Sequence, residues 1–288
     1  MKLLLDNSAL SLLPCKRRFQ LAVVDGLKGH TSASAQFGSA FHTAIEYLDK
    51  NLGVDESVDK TFEKYPDVNK LLLMQTVALF RTTKKLPPPI ILDDGKPAVE
   101  IKFSFPYNHG EQDIELCGTI DRIHLDEEKD ILVILDYKTA GDVTDYKIAA
   151  KLDSYSLSFQ LPFYVFCLLN SGILPARYKD YLVNGRYRVE LLIVFYAAQP
   201  PRFKTLSKQA FNSDFITREV PLIIETRAKE AMDIVALGSS PAPHDGMNIY
   251  KYCDYCDFRN ACLVMGSERE VELLSRFEKK TYNPMEFR

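Results

Sequence analysis

Gly118-Thr119-Ile120-Asp121-Arg122-Ile123 and, after a charged turn, Ile131-Leu132-Val133-Ile134-Leu135-Asp136-Tyr137-Lys138-Thr139 decide how this chain folds. The second run is apolar through Leu135 and then becomes polar, as expected of a buried strand that reaches the rim of a sheet. Side chains two apart on a strand leave the same face, so Asp136 and Lys138 project side by side. Asp121 belongs to the preceding strand and supplies a second carboxylate if the hairpin register brings it opposite. The turn Asp126-Glu127-Glu128-Lys129-Asp130 separates strands expected at 114–124 and 131–138.

Upstream, Val99, Ile101, Phe103 and Phe105 alternate with Glu100, Lys102 and Ser104, which predicts another strand with one wet face. Leu86-Pro87-Pro88-Pro89 divides it from a helical first part, because proline lacks the amide proton and restricts the residue before it. Helices are expected there at about 8–27, 34–52 and 68–85. Downstream, a helix over about 155–169 ends at Ser171-Gly172. Tyr181 to Tyr187 reads as a hairpin on an Asn184-Gly185 turn. A last helix over about 222–237 leads to Pro241-Ala242-Pro243 and a cysteine-rich tail. This order predicts an α/β fold, a central mixed sheet flanked by helices.

The 288 residues are enough for a large core, and 46% hydrophobic with 26% charged residues is ordinary for a globular protein. A net charge of −3 advertises no global attraction to nucleic acid, although a balanced total can hide a local basic groove. The N-terminal Met1-Lys2-Leu3-Leu4-Leu5 is too short for a secretory core, and the longest apolar run, Leu191 to Ala198, is too short to span a membrane. A cytoplasmic, reducing location is expected. There, six cysteines suggest a metal site more than disulfides.

A divalent cation held by two carboxylates lowers the pKa of bound water and neutralises charge on phosphoryl oxygens. Asp121 and Asp136 offer the carboxylates. Lys138 is placed to orient the attacking hydroxide or stabilise developing charge. Taken alone, Asp-x-Lys is more often a surface ion pair at a strand end. Gly38, His42 and Glu46 follow at four-residue intervals on one helical face. Gln160 and Tyr164 share another, suited to contacting a phosphate backbone or to ordinary core packing.

In order, these pieces are G-x-x-x-H-x-x-x-E, G-x-x-D-R-I, I-L-D-Y-K-T and Q-x-x-x-Y. The series resembles the PD-(D/E)XK nucleases, in particular the RecB-like branch that includes Cas4-type and AddB-type proteins. The resemblance implies a restriction-endonuclease-like core and a metal, Mg²⁺ or Mn²⁺. Its ligands would be His42, Asp121, Asp136 and the backbone carbonyl of Tyr137, with Lys138 as the catalytic lysine and Gln160 and Tyr164 near DNA. Glu100 matches a strand glutamate that often precedes G-x-x-D; its role, like that of Glu46, stays open. The second acidic position is aspartate rather than glutamate, a familiar variant in that branch. Pro162 kinks the Gln160–Tyr164 helix unless it falls in the first turn.

Cys253, Cys256 and Cys262 form C-x₂-C-x₅-C, and Cys15 is the candidate fourth ligand; Cys117 and Cys167 read as buried thiols. Four thiolates hold zinc or a [4Fe–4S] cluster, and spacing does not decide between them. One cysteine before the nuclease core and three after it is the layout of the iron–sulfur members of the resembled branch. That likeness implies a [4Fe–4S] cluster joining the N- and C-terminal parts. The expected organisation is one nuclease domain, 1–288. A helical part covers 1–90, the nuclease core 97–237 and the cluster region 238–288.

The chain carries no P-loop motif, so it would act alone or with a helicase or recombination partner. The leading expectation is an exonuclease acting at single-stranded or frayed DNA ends in recombination, repair or phage DNA processing. Cas4-like trimming in CRISPR adaptation, a non-catalytic DNA-binding scaffold and a zinc-stapled binding module are the rivals. Basic residues beside aromatics, at Lys16–Phe19, Arg186–Arg188 and Arg202–Lys204, are suited to tracking phosphates or simply to facing solvent.

Overall fold

The computed structural model describes residues 3–29, 31–107, 114–141, 144, 149, 152, 158–243, 253 and 256–279. In chain order the elements begin with β1 (Leu3–Leu5), α1 (Asn7–Leu12), α2 (Lys16–Phe19) and a π-helical turn (Gln20–Val24). The helices α3 (Ala33–Asp49), α4 (Val54–Lys64) and α5 (Lys70–Thr83) follow. Next come β2 (Val99–Pro106), β3 (Ile114–Asp126) and β4 (Ile131–Ala140), then α6 (Gln160–Asn170) and α7 (Ala176–Val183). The chain continues through β5 (Tyr187–Phe195), β6 (Arg202–Gln209) and α8 (Val220–Ala236), and ends in α9 (Arg259–Cys262) and α10 (Glu268–Leu274).

Two compact units emerge, one of residues 31–103 and 119–217, the other of residues 1–30, 104–118 and 218–288. In the first, β3 is antiparallel to β4, β4 parallel to β5 and β5 antiparallel to β6, so the sheet is mixed. The parallel β4–β5 pair needs a crossover, which α6 and α7 supply. On one face Phe41 and Ile45 of α3, Val58 of α4, and Leu73 and Phe80 of α5 pack on Leu135, Tyr137, Leu192 and Val194. Each such side chain contributes roughly 1.5–3 kcal/mol when removed from water. The opposite face carries Ala140, Ile193 and Phe195 with Leu206. In the second unit β1 lies parallel to the start of β3, Leu3 opposite Ile114. No described helix is long and apolar enough to cross a membrane.

Local chemistry explains where the elements begin. Ser32 caps α3 by accepting from the Ala35 amide at 3.2 Å, and Asn69 caps α5 by accepting from Leu72 at 3.0 Å. The strands expected from period-two patterning are present as β2, β3 and β4, and the helices expected at 34–52 and 68–85 as α3 and α5.

Three expectations need correction. The single helix over 8–27 is broken at Pro14, which has no amide to donate; α1 ends at Leu12 and α2 starts afresh at Lys16. Residues 181–187 are not a hairpin: Tyr181 to Val183 end helix α7, and Asn184 and Gly185 terminate it. Gly185 has φ 66°, so the left-handed conformation of an Asn-Gly pair serves here as a helix stop. Helix 155–169 begins later, at Gln160; residues 155–157 lie outside the described ones. Helix α4 and strands β1 and β6 were not expected at all.

Candidate functional site

The β3–β4 register sets Arg122 opposite Leu135 and Ile123 opposite Ile134. Continued by one pair, it brings Asp121 opposite Asp136, as the strand patterning required. Both are buried. Asp121 Oδ2 accepts a 2.6 Å hydrogen bond from the Tyr137 amide, which fixes its carboxylate against β4. Arg122, on the other face, is buried and donates to Asp49 near the end of α3 and to the Pro87 carbonyl. That pair ties α3 to the strand bearing Asp121.

α3 delivers His42. Its Nδ1 lies 3.5 Å from Asp121 Oδ1 and 3.5 Å from Glu100 Oε1, and Nε2 lies 3.1 Å from the Tyr137 carbonyl oxygen. Burial works against a charged imidazole here, but the Asp121 and Glu100 carboxylates overcome it and raise His42 to about 10. Among the described residues, one atom each of His42, Glu100 and Asp121 gathers within 4.8 Å of the others. An imidazole nitrogen with two carboxylate oxygens suits Mg²⁺ or Mn²⁺, which take hard donors and keep several waters.

Glu100 thus belongs to the site that sequence left open. Its backbone has φ 47°, a left-handed conformation that non-glycine residues adopt at a cost of order 1–3 kcal/mol. Regular alternation along β2 could not foretell that twist.

Asp136 and Lys138 stand as the i, i+2 rule requires. Lys138 Nζ lies 2.8 Å from Asp136 Oδ2, and Gln160 Nε2 donates to Asp136 Oδ1 at 2.9 Å and to the Tyr164 hydroxyl at 2.5 Å. Burial raises the Asp136 pKa, and the nearby Asp121 charge adds to the effect; Lys138 and then His42 oppose it. Gln160 and Tyr164 therefore brace the carboxylate from α6, with Tyr164 itself buried. Pro162 falls in the first turn of α6, where no helical amide bond is lost. Glu46 pairs instead with Lys50 at 2.6 Å along α3 and is not part of the His42 group.

Gly38 sits one turn before His42. A Cβ there would lie 2.8 Å from Thr139 Oγ1, just beyond Lys138 on β4. Gly38→Ala is therefore expected to destabilise the protein by about 1–3 kcal/mol through overpacking. Thermal melts check this: Gly38→Ala combined with Thr139→Ala recovers most of the loss, since the clash is with one hydroxyl.

Cys15, Cys253, Cys256 and Cys262 lie in the other unit. Cys15 stands at the N-cap of α2, and Cys256 and Cys262 pack beside Leu21, Leu27 and Phe258. The Cys256 amide donates to the Cys253 carbonyl at 3.1 Å. Burial pushes the Cys262 thiol up to about 12; the Cys256 thiolate adds, Arg17 opposes, and Cys15 and Cys253 add further. Burial likewise raises Cys256, with Arg18 opposing and Cys15 and Cys253 adding. Among the described residues no three of these sulfurs lie within 4.8 Å of one another. Cys117 and Cys167 are buried thiols, as patterning suggested.

A family model described as the PD-(D/E)XK nuclease superfamily matches residues 8–263. Among solved structures, the chain is similar to an exonuclease candidate from Eubacterium rectale, 11% identical over 86% of each chain with a TM-score of 0.49. It is also similar to SSO0001, 13% identical over 91% of this chain and 86% of that one, with a TM-score of 0.37. No curated protein sequence matches.

Proposed function

Since this chain belongs to the PD-(D/E)XK nuclease superfamily, we propose that it is a Mg²⁺- or Mn²⁺-dependent deoxyribonuclease acting as an exonuclease at DNA ends, in recombination, repair or phage DNA processing. The observation that carries this is the meeting of His42 Nδ1, Glu100 and Asp121 within 4.8 Å, with the Asp136–Lys138 pair beside them. The family pattern implies His42, Asp121, Asp136 and the Tyr137 carbonyl as ligands, and the geometry adds Glu100. When bound, the cation supplies an acidified water and charge neutralisation on the phosphate.

The chain's own residues do the rest. The Tyr137 carbonyl, 3.1 Å from Nε2, accepts a hydrogen bond from that nitrogen and leaves Nδ1 facing the carboxylates. The Tyr137 amide fixes the Asp121 carboxylate and Gln160 fixes that of Asp136, which stands outside the His42, Glu100 and Asp121 group. Lys138 keeps its ammonium within 2.8 Å of Asp136, where it can hold an attacking hydroxide or the phosphoryl oxygen. Digestion of end-labelled single- and double-stranded DNA with Mg²⁺ or Mn²⁺ tests the proposal. Mononucleotides released from an end support it, and no metal-dependent digestion of either substrate refutes it.

The same reading extends to the cysteines: Cys15, Cys253, Cys256 and Cys262 hold a [4Fe–4S] cluster, in keeping with the RecB-like, Cas4-type branch. Their mutual electrostatic reach and partial burial support this. Such a cluster closes the very long loop between Cys15 and Cys253 and so restricts the unfolded chain. Protein purified without oxygen is expected to be brown, with four iron atoms per chain by metal analysis, and Cys253→Ser to lose both colour and iron. Colourless protein containing one zinc would overturn the cluster and leave the nuclease reading standing.

A further inference from the structure

Edge strand β6 carries a charge pattern that the metal site does not use. Its neighbour β5 pairs with β4 so that Lys138 lies opposite Ile193 and Ala140 opposite Phe195. β5 in turn sets Ile193 opposite Lys204 and Phe195 opposite Arg202. Residues paired across a sheet share a face, so Arg202 and Lys204 stand on the face that carries Asp136 and Lys138. The packing of Ala140, Ile193 and Phe195 with Leu206, the next residue of that row, agrees. Lys208 continues the row.

The other face of β6 presents Phe203, Thr205, Ser207 and Gln209, none of them charged. Edge strands often carry lysines simply to discourage pairing with another chain. That purpose is served by charge on either face. Here every cation of the strand is on one face, the one that carries the site. Arg202 and Lys204 are exposed, and neither forms an ion pair with a described residue.

We propose that Arg202 and Lys204 form a track along the edge of the sheet for the phosphodiester backbone of a DNA strand whose end is cut at the Asp136–Lys138 site. Ile193 and Phe195, between track and site, are buried, so the strand follows the edge rather than crossing the face. Two strand steps separate Lys204 from Lys138, roughly 10 Å, and alternate residues of β6 repeat every ~6.6 Å. That repeat is comparable to the phosphate spacing of an extended nucleic-acid strand. A strand lying along β6 thus meets successive cations a short distance before the reacting bond. The cations read charge and not bases, which suits an enzyme that must follow any sequence. This rests on the nuclease reading and extends it to the path of the substrate.

The test measures binding rather than turnover. Fluorescent single-stranded DNA is titrated with Lys138→Ala protein and with the same protein carrying Arg202→Gln and Lys204→Gln. Each titration is repeated over a range of salt. Two lost phosphate contacts on a single strand are expected to lower the slope of log affinity against log salt by about 1.4, and to weaken binding about tenfold at low salt. Lys85→Gln, an exposed lysine outside this row, leaves both unchanged. The charge-conserving pair Arg202→Lys with Lys204→Arg restores both, which separates lost charge from a damaged edge strand. Equal affinity and equal salt slope in the double glutamine variant overturn the track, as does weaker binding with an unaltered slope. Wild-type protein that digests DNA while the variant binds normally sinks only this inference. Protein that neither binds nor digests DNA sinks the nuclease reading along with it.

Discussion

Lys138→Ala is expected to lower metal-dependent DNA cleavage by about 10²–10³-fold, the usual cost of removing one preorganised charge-stabilising donor. It should keep the rise in melting temperature that Mn²⁺ produces. Lys138 is a cation and its contact is with Asp136 Oδ2, so its loss removes no metal ligand. Asp121→Ala is expected to lose both, because Asp121 Oδ1 sits in the group with His42 and Glu100. In metal-free protein Lys138→Ala also leaves the buried Asp136 carboxylate without its ammonium, so the starting melting temperature falls. Initial rates on end-labelled DNA and melts with and without Mn²⁺ measure each of these effects. Undiminished cleavage by Lys138→Ala refutes the active site, and a Mn²⁺-induced shift that survives in Asp121→Ala refutes the metal centre.

The site was legible in sequence to the extent that periodicity could carry it. Asp136 and Lys138 share a face because a strand has period two, and the short charged turn after Asp126 made the β3–β4 hairpin the only economical pairing for Asp121. His42 needed its glycine. Gly38 admits Thr139 beneath α3, and without that close approach the histidine stays out of reach of β3. The role of Glu100 stayed open for the opposite reason. Its positive φ departs from the extended geometry that the alternation of β2 predicts, and no neighbouring glycine announces the departure.

Outside the site the failures share a cause. Asn184-Gly185 allows left-handed backbone, and local sequence does not say whether a strand or a helix uses it. Helix α4 offers few large apolar side chains, so its identity depends on packing against α3 and α5. β6 reads as a scatter of basic and small residues, because a half-exposed edge strand gains its order from β5. In each case the deciding contact is distant in sequence.

Asp136→Asn is expected to make metal-free protein more stable while abolishing cleavage. Asp136 is a buried carboxylate whose pKa is raised by burial and by Asp121, so keeping it charged opposes folding. Below the unfolded carboxylate value of about 3.9 the group is protonated in both states and costs nothing. The penalty accrues as pH climbs from there to the higher native value, and it persists in full above it. Neutral asparagine removes it, a gain on the order of 1–3 kcal/mol, or about 2–4 °C in melting temperature for each kcal/mol. His42 titrates with the same sign by a different route: raised to about 10, its ion pairing stabilises fully below about 6.5 and fades as pH rises towards the native value. Metal-free wild type should therefore lose stability on both limbs with increasing pH. Asp136→Asn loses the acid limb and keeps the alkaline one, since Asp121 and Glu100 still face the imidazole. A bound cation reverses the balance in wild type, because it needs the deprotonated forms of both groups. Melts from pH 5 to 9 with chelator and with Mn²⁺ resolve these curves. An asparagine variant less stable than wild type at pH 8 without metal, or one that still cleaves DNA, would show that the carboxylate is held for structure and not for a metal-dependent reaction.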